Sequence, residues 1–158
     1  PYYYNDDGQV VLLKPRQSVW YCLYITGPVM DKEFYQKFRR RFRMPYNEFP
    51  KLLGRLKKAT EYFGRWSRRD GSGVRASPIA LLLRGALRSL GMGLTFDDLE
   101  EYTAIGEETH RQFFHLFIQY GAEILHPEFM VMPTTAAEYK THRNEFDIQG
   151  FNRGRVLH

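Results

Sequence analysis

The residues with the clearest chemical potential in this sequence are basic side chains concentrated between positions 31 and 75. This segment contains 14 Lys and Arg residues against five Asp and Glu residues. Cations at this density favour contacts with the phosphates of nucleic acids. The alternative, a solvated helix face beside an acidic surface of the same fold, stays open. The candidate phosphate contacts are Arg39, Arg40, Arg41, Arg43, Arg65, Arg68 and Arg69.

A second set of polar side chains follows an acidic stretch that begins near Thr95. The spacing predicts a short helix over 95–104, a turn at Gly106 and a longer helix that opens at Glu107. This arrangement is typical of a helix-turn-helix, whose second helix presents its first two turns to base edges. Against this, Glu107 and Glu108 repel phosphates, and such helix pairs also serve purely for packing. The candidate base contacts are Thr109, His110, Arg111 and Gln112.

Metal and nucleophilic chemistry find less support. The motifs Glu107-x-x-His110 and Glu123-x-x-His126 have the spacing of di-metal bundles, but those sites need the two motifs on facing helices. Here both fall on one predicted helix. Cys22 is the only cysteine, so it forms no internal disulfide, and its apolar surroundings predict a buried, inert thiol. The sequence has no Gly-rich phosphate loop or zinc-ligand spacing, and we expect no metal or cofactor bound to this chain.

The elements that must position the basic side chains are predicted to be helices. Asp31 caps a first helix, whose apolar stripe is Phe34, Phe38 and Phe42. The helix ends at Met44-Pro45, because the residue before a proline disfavours helical dihedrals. A second helix begins near position 47. Residues 64–76 form a predicted loop, in which Trp66 either stacks on a base or anchors the loop to the bundle.

Further helices are predicted in the second half. Ser77-Pro78 begins one helix, and Gly91 ends it. The long helix from Glu107 is expected to end before Pro127. A last helix runs from about 135 to 148.

The amino-terminal 30 residues are predicted to be extended. The β-prone runs 9–13 and 19–25 either pair as a hairpin or lie as an arm on the helices. The segment Tyr2–Tyr4 is expected to be a disordered terminus. The predicted architecture is mainly α, a multi-helix bundle behind this arm. Its parts are the arm at 1–30, a helical domain at 31–149 with a helix-turn-helix-like unit at about 95–121, and a tail at 150–158.

Charge and hydropathy limit the cellular setting. The net charge is +5 and the isoelectric point is near 9.4, which favours an anionic partner. No apolar run approaches the roughly 20 residues of a membrane helix, and no signal-peptide pattern is present. We therefore expect an intracellular protein, nuclear or cytoplasmic, that is neither secreted nor membrane-bound.

Short motifs in a fixed order carry a further signal. The first is FRRRFRMP at 38–45, followed by Phe49, and the next are SP at 77–78, LLL at 81–83, GALR at 85–88 and LG at 90–91. The most specific is TFDDLEE at 95–101 with Thr103, Ile105, ETHR at 108–111 and FFH at 113–115. EF at 145–146 and GF at 150–151 complete the set. From about Leu13 to Phe151, this order resembles Harbinger-type DDE transposases, most closely the plant transposon protein branch also found in protists.

The resemblance implies a helical region in front of an RNase H-like nuclease core, whose Asp-Asp-Glu triad holds two divalent metals. In the family the first catalytic Asp follows a Gly-Phe-x-Gly-Cys-x-Gly-Ser-x-Asp pattern. Here Gly150-Phe151-Asn152 is followed by RGRVLH, without that Asp, so the resemblance implies that residues 150–158 are the truncated start of an absent nuclease core. No catalytic residue is carried over, any Mg²⁺ would belong to the missing core, and we expect no enzyme activity from this chain.

The resemblance therefore predicts a domain that binds or positions DNA at transposon ends, or a truncated transposon-derived protein with that role. The alternative is a protein-interaction module without direct DNA contact. Harbinger-type transposases generally work with a Myb-like DNA-binding partner, and this bundle could dock that partner or the nuclease core. Oligomers are compatible with both functions.

Overall fold

The structure, a computed structural model, describes residues 2–27, 30–67, 78–130 and 133–148. It is mainly helical with one small antiparallel hairpin, which confirms the predicted fold class. Strand β1 (Tyr2–Tyr4) pairs with β2 (Val10–Leu12) in the register Tyr2 to Leu12. Gly8 takes the left-handed conformation that the connecting turn needs, with φ of 73°. The expectation that Tyr2–Tyr4 is disordered was wrong.

The run 19–25 is helical, so its prediction as a strand or extended arm was also wrong. Helix α1 (Val19–Tyr21) continues as a π-helical turn over Cys22–Thr26. Trp20 and Tyr24 are both buried, whereas Cys22 between them is exposed. A strand would place all three residues on one face, and a helix turns Cys22 away from the other two. Trp20 stacks on Tyr102 with 5.5 Å between ring centroids. Tertiary burial of these rings outweighs the local β propensity.

Two predicted helices of the basic segment are confirmed. Helix α2 (Lys32–Phe42) begins at Asp31, whose side chain accepts a hydrogen bond from the Phe34 amide at 2.7 Å. Phe38 and Phe42 are buried, as the stripe predicts. Helix α3 (Glu48–Lys58) carries Pro50 in its first turn, where no intrahelical N–H is needed.

Helix α4 (Thr60–Ser67) occupies the start of the segment predicted as a loop. The helix forms there because Phe63 and Trp66 are both buried and contact Phe113. Trp66 is only 7% exposed, so it anchors this segment to the bundle and is not a free surface for a base. Residues 68–77, including the predicted cap Ser77, lie outside the described residues.

Helix α5 (Ile79–Met92) is the centre of the fold. It contacts α2 and α3, which precede it in the sequence, and α6 (Phe96–Thr103) and α7 (Glu107–Tyr120), which follow it. Every residue from Leu81 to Leu87 is buried, as expected for a helix packed all round. The left-handed cap is Gly93, with φ of 71°, and Gly91 lies within the helix. The prediction that Gly91 ends the helix was therefore wrong.

The pair α6 and α7 follows the predicted spacing. Thr95 caps α6, and its hydroxyl accepts from the Asp98 amide while Asp98 accepts from the Thr95 amide. The Thr95 hydroxyl also donates to the Asp98 carboxylate at 2.7 Å, and this hydrogen bond, followed by the one from the Thr95 amide, lowers the pKa of Asp98. The left-handed residue of the connection is Ala104, with φ of 53°, although Gly106 was the expected turn residue.

By contact, the chain divides into a unit Pro1–Tyr120 and a unit Gly121–His158. The second unit contains a π-helical turn at Gly121–Leu125, a short helix α8 (His126–Phe129) and α9 (Ala136–Ile148). Pro127 lies in the first turn of α8, which a proline tolerates, so the chain does not leave the helical conformation before it. The last predicted helix is confirmed in α9.

Candidate nucleic-acid interface

One face of α2 gathers four polar side chains around a shallow surface depression. The lining residues are Gln36, Arg39, Arg40 and Arg43. Their spacing of three and four residues places them within about 100° of the helix circumference. Phe38 and Phe42 occupy the opposite, buried side, so the core fixes which way the arginines point. Among the described residues, Arg39 and Arg40 have no acidic partner within ion-pair distance.

Arg43 is held at the end of this face by its backbone and by α5. It is the carboxyl-terminal cap of α2, in the left-handed conformation with φ of 54°. The Nη2 atom of its guanidinium lies 3.4 Å from the Met92 sulfur. Its side-chain stem crosses Gly91, where a Cβ would come within 2.7 Å of Arg43 Cγ. The side chain is therefore oriented although it is exposed.

Arg41 lies apart from the other three arginines. Successive helical residues are rotated by about 100°, and this rotation turns Arg41 toward the π-helical turn that contains Tyr24. Its guanidinium donates a hydrogen bond to the Tyr24 hydroxyl, and it lines a different depression that includes Cys22 and Lys37. Of the candidate phosphate contacts on α2, Arg39, Arg40 and Arg43 therefore line one depression and Arg41 lines another. Cys22 is exposed, which corrects its expected burial.

The polar side chains at the start of α7 are largely engaged with one another. Arg111 forms ion pairs with Glu107 and with Glu108, the latter at 2.6 Å. Gln112 donates to Glu108 at 2.9 Å and accepts from Arg65 Nη2 at 2.7 Å. A base contact would have to displace these interactions.

His110 does not belong to the surface. It is only 2% exposed, and its Nε2 lies 2.7 Å from the Thr103 hydroxyl oxygen. Burial lowers the pKa of His110 to about 4. The imidazole fits because Gly85 has no side chain, since a Cβ there would lie 2.8 Å from Nδ1. The prediction that His110 reads a base is therefore wrong, because the packing of α7 against α5 and α6 buries this position.

The remaining predicted contacts have mixed surroundings. Thr109 is half-buried, and Arg65 is exposed with its guanidinium carbon 4.7 Å from the Trp66 ring centroid. Arg65 and Gln112 are brought together, as are Arg39, Arg40 and Arg43. Arg68 and Arg69 lie outside the described residues.

One arginine contributes to the positive charge from inside the bundle. Arg84 of α5 is 3% exposed, and its guanidinium carbon lies 4.2 Å from the Phe49 ring centroid. It donates to the carbonyl oxygens of Ala80 at 3.0 Å and Tyr24 at 3.3 Å, while its Nε has no partner among the described residues. Burial lowers the pKa of Arg84 to about 10. A single cation inside the apolar run 79–87 was the available sequence signal for this residue.

Within the described segments, no three His, Cys, Asp or Glu side chains are close enough together to hold a metal ion. None of the helices described combines the length and apolar character needed to cross a membrane. Comparison of the chain with protein-family models, with curated proteins and with solved structures found no match.

Proposed function

We propose that this chain binds DNA through the phosphate backbone, using the face of α2 that carries Arg39, Arg40 and Arg43. The observation that supports the proposal is the depression in which these three arginines meet Gln36, with no acidic side chain among its lining residues. Guanidinium groups match the geometry of phosphate oxygens and bind them in bidentate fashion. The resemblance to Harbinger-type transposases favours DNA as the polyanion.

Binding of this kind is governed by the release of counterions. If each of the three arginines neutralises one phosphate, the logarithm of the binding constant falls with the logarithm of salt with a slope of about −2.7. Such contacts position a protein on the duplex and carry no direct sequence information. The proposed role is therefore to hold or position DNA.

The proposal does not include base reading by α7. His110 is buried, and Arg111 is neutralised by two glutamates on its own helix. Thr109 and Gln112 alone offer few of the bidentate contacts that distinguish base pairs. We infer that the affinity depends weakly on DNA sequence.

The test is a fluorescence-anisotropy titration of a mixed-sequence 20-base-pair duplex at several salt concentrations. We expect Arg39→Gln with Arg40→Gln to weaken binding and to reduce the magnitude of the salt slope by about 1.8. The matched control is Lys57→Gln with Lys58→Gln, which removes the same charge from exposed positions at the end of α3. Absence of wild-type binding at low salt, or equal losses in both double variants, would overturn the proposal.

A second candidate function is docking of another protein, such as a Myb-like partner or a nuclease core. It is favoured by apolar side chains at the surface of α1 and its π-helical extension, where Val19 is 55% and Leu23 is 51% exposed. These residues lie four positions apart and so share one helical face. If the folded protein binds no DNA, this function becomes the better explanation.

A further inference from the structure

The last turns of α5 lie beneath the carboxyl-terminal end of α2 and contact it at three points. Arg88 donates from Nη1 to the carbonyl oxygen of Arg41 at 3.0 Å. Met92 contacts the Arg43 guanidinium through its sulfur, and Gly91 lies under the Arg43 stem. The first contact satisfies a carbonyl that the helix end leaves unpaired. The other two act on a side chain of the proposed DNA-binding face.

Gly91 is unusual because Arg43 occupies the space that a side chain at this position would fill. An added Cβ would lie 2.7 Å from Arg43 Cγ and 3.4 Å from Arg43 Cβ. The first distance is too short for real atoms, so the arginine stem would have to move. Arg43 is exposed and follows the last helical turn, which allows it to move without disturbing the buried core. Alanine at position 91 would therefore change the direction of Arg43 and leave the fold intact.

We propose that Gln36, Arg39, Arg40 and Arg43 form one clamp for backbone phosphates, that Arg43 is oriented before it binds, and that Gly91 is the residue that positions Arg43. This inference rests on the proposed function and adds how the site is built. A long arginine side chain loses rotamer freedom when it binds, and orientation before binding reduces that loss. The contact of Arg43 with Gly91 and Met92 supplies such orientation. Gly91 touches no ligand and acts only through Arg43.

The experiment compares Gly91→Ala, Arg43→Gln and the double variant in the same anisotropy titration. We expect Gly91→Ala to weaken DNA binding about tenfold at 50 mM salt and to reduce the magnitude of the salt slope by about 0.9, the values for one lost phosphate contact. Arg43→Gln is expected to do the same. The double variant is expected to lose no more than either single one, because both substitutions remove one interaction.

The matched control is Gly54→Ala in α3, where an added Cβ has nothing within 4 Å. We expect it to bind DNA like the wild type. Thermal melting checks that all variants are folded, and Gly91→Ala should melt no lower than the wild type because alanine favours a helix over glycine. Wild-type affinity and slope in Gly91→Ala, or additive losses in the double variant, would overturn the clamp while leaving DNA binding in place. Absence of binding by the wild type would instead overturn the proposed function.

Discussion

The Thr103 hydroxyl oxygen and His110 Nε2 lie 2.7 Å apart in a buried hydrogen bond that joins α6 to α7. Thr103 is fully buried and its hydroxyl donates to the Leu99 carbonyl at 2.7 Å, so its oxygen accepts the hydrogen bond from His110 Nε2. The hydrogen bond between Thr103 and His110 therefore joins the two helices inside the bundle, in addition to their apolar packing. Because a charged imidazole is costly in a buried position, the burial of His110 makes the fold sensitive to acid.

We expect the free energy of unfolding to decrease as the pH falls from 6.5 to about 4. The pKa of His110 is about 4 in the folded chain and near 6.5 when unfolded, so the unfolded chain binds more protons in this range. The loss is at most about 3 kcal/mol. Urea unfolding at a series of pH values measures it. His110→Gln should flatten the dependence, whereas His115→Gln, at an exposed position, should preserve it. Identical pH profiles for both variants would contradict the assignment.

Gly85→Ala is expected to destabilise the fold by about 1–3 kcal/mol, because overpacking forces neighbouring atoms to move. The new Cβ would lie 2.8 Å from His110 Nδ1 and 3.1 Å from Leu99 Cδ1. Gly54→Ala serves as the control, since its Cβ meets open space, and it should be neutral or stabilising. Denaturant titration of both variants provides the measurement. A Gly85→Ala protein as stable as the Gly54→Ala protein would show that α7 adjusts without cost.

Arg84 should be replaceable by an apolar side chain of similar length. Arg84→Met removes a buried charge with one unpaired nitrogen and retains most of the volume, so stability should match or exceed that of the wild type. Arg84→Ala leaves a cavity and should cost about 3 kcal/mol. Midpoints of chemical unfolding distinguish the two variants. If the methionine variant is also about 3 kcal/mol less stable, the hydrogen bonds to Ala80 and Tyr24 outweigh the cost of burying the charge.

Neutralising the glutamates at the start of α7 should strengthen DNA binding. Glu107→Gln with Glu108→Gln frees Arg111 from both ion pairs and removes two charges that repel phosphate. We expect an increase of about threefold or more at 50 mM salt. Asp97→Asn with Glu101→Asn is the control, because it removes the same charge from exposed positions of α6. Equal gains in both double variants would show that overall charge, and not release of Arg111, determines the change.

Periodicity and caps predicted the helices whose signals are local. The phenylalanine stripe of α2, the Asp31 cap and the Thr95 cap all depend on residues within one or two turns, and the structure confirms them. The prediction for residues 19–25 was wrong because their conformation depends on distant partners, above all Tyr102 on α6 and Phe42 on α2. Local propensity carries no information about such partners.

The candidate site was predictable in composition and less so in geometry. The cluster at 39–43 could be found from charge alone, but the separation of Arg41 requires knowing that Tyr24 is helical and nearby. His110 looked like a surface residue because polar side chains surround it in sequence. Its burial depends on Gly85, which is 25 positions earlier and provides the space.

Two glycines of α5 therefore make room for side chains from two different helices. Gly85 admits an imidazole from α7, and Gly91, about 9 Å further along α5, admits an arginine stem from α2. In a divergent relative, surface cations can be redistributed with little effect on folding. Enlargement of Gly85 would be resisted because it displaces buried His110, and enlargement of Gly91 because it redirects Arg43. Proteins that share this arrangement would be identified by small residues at these two positions more than by their number of arginines.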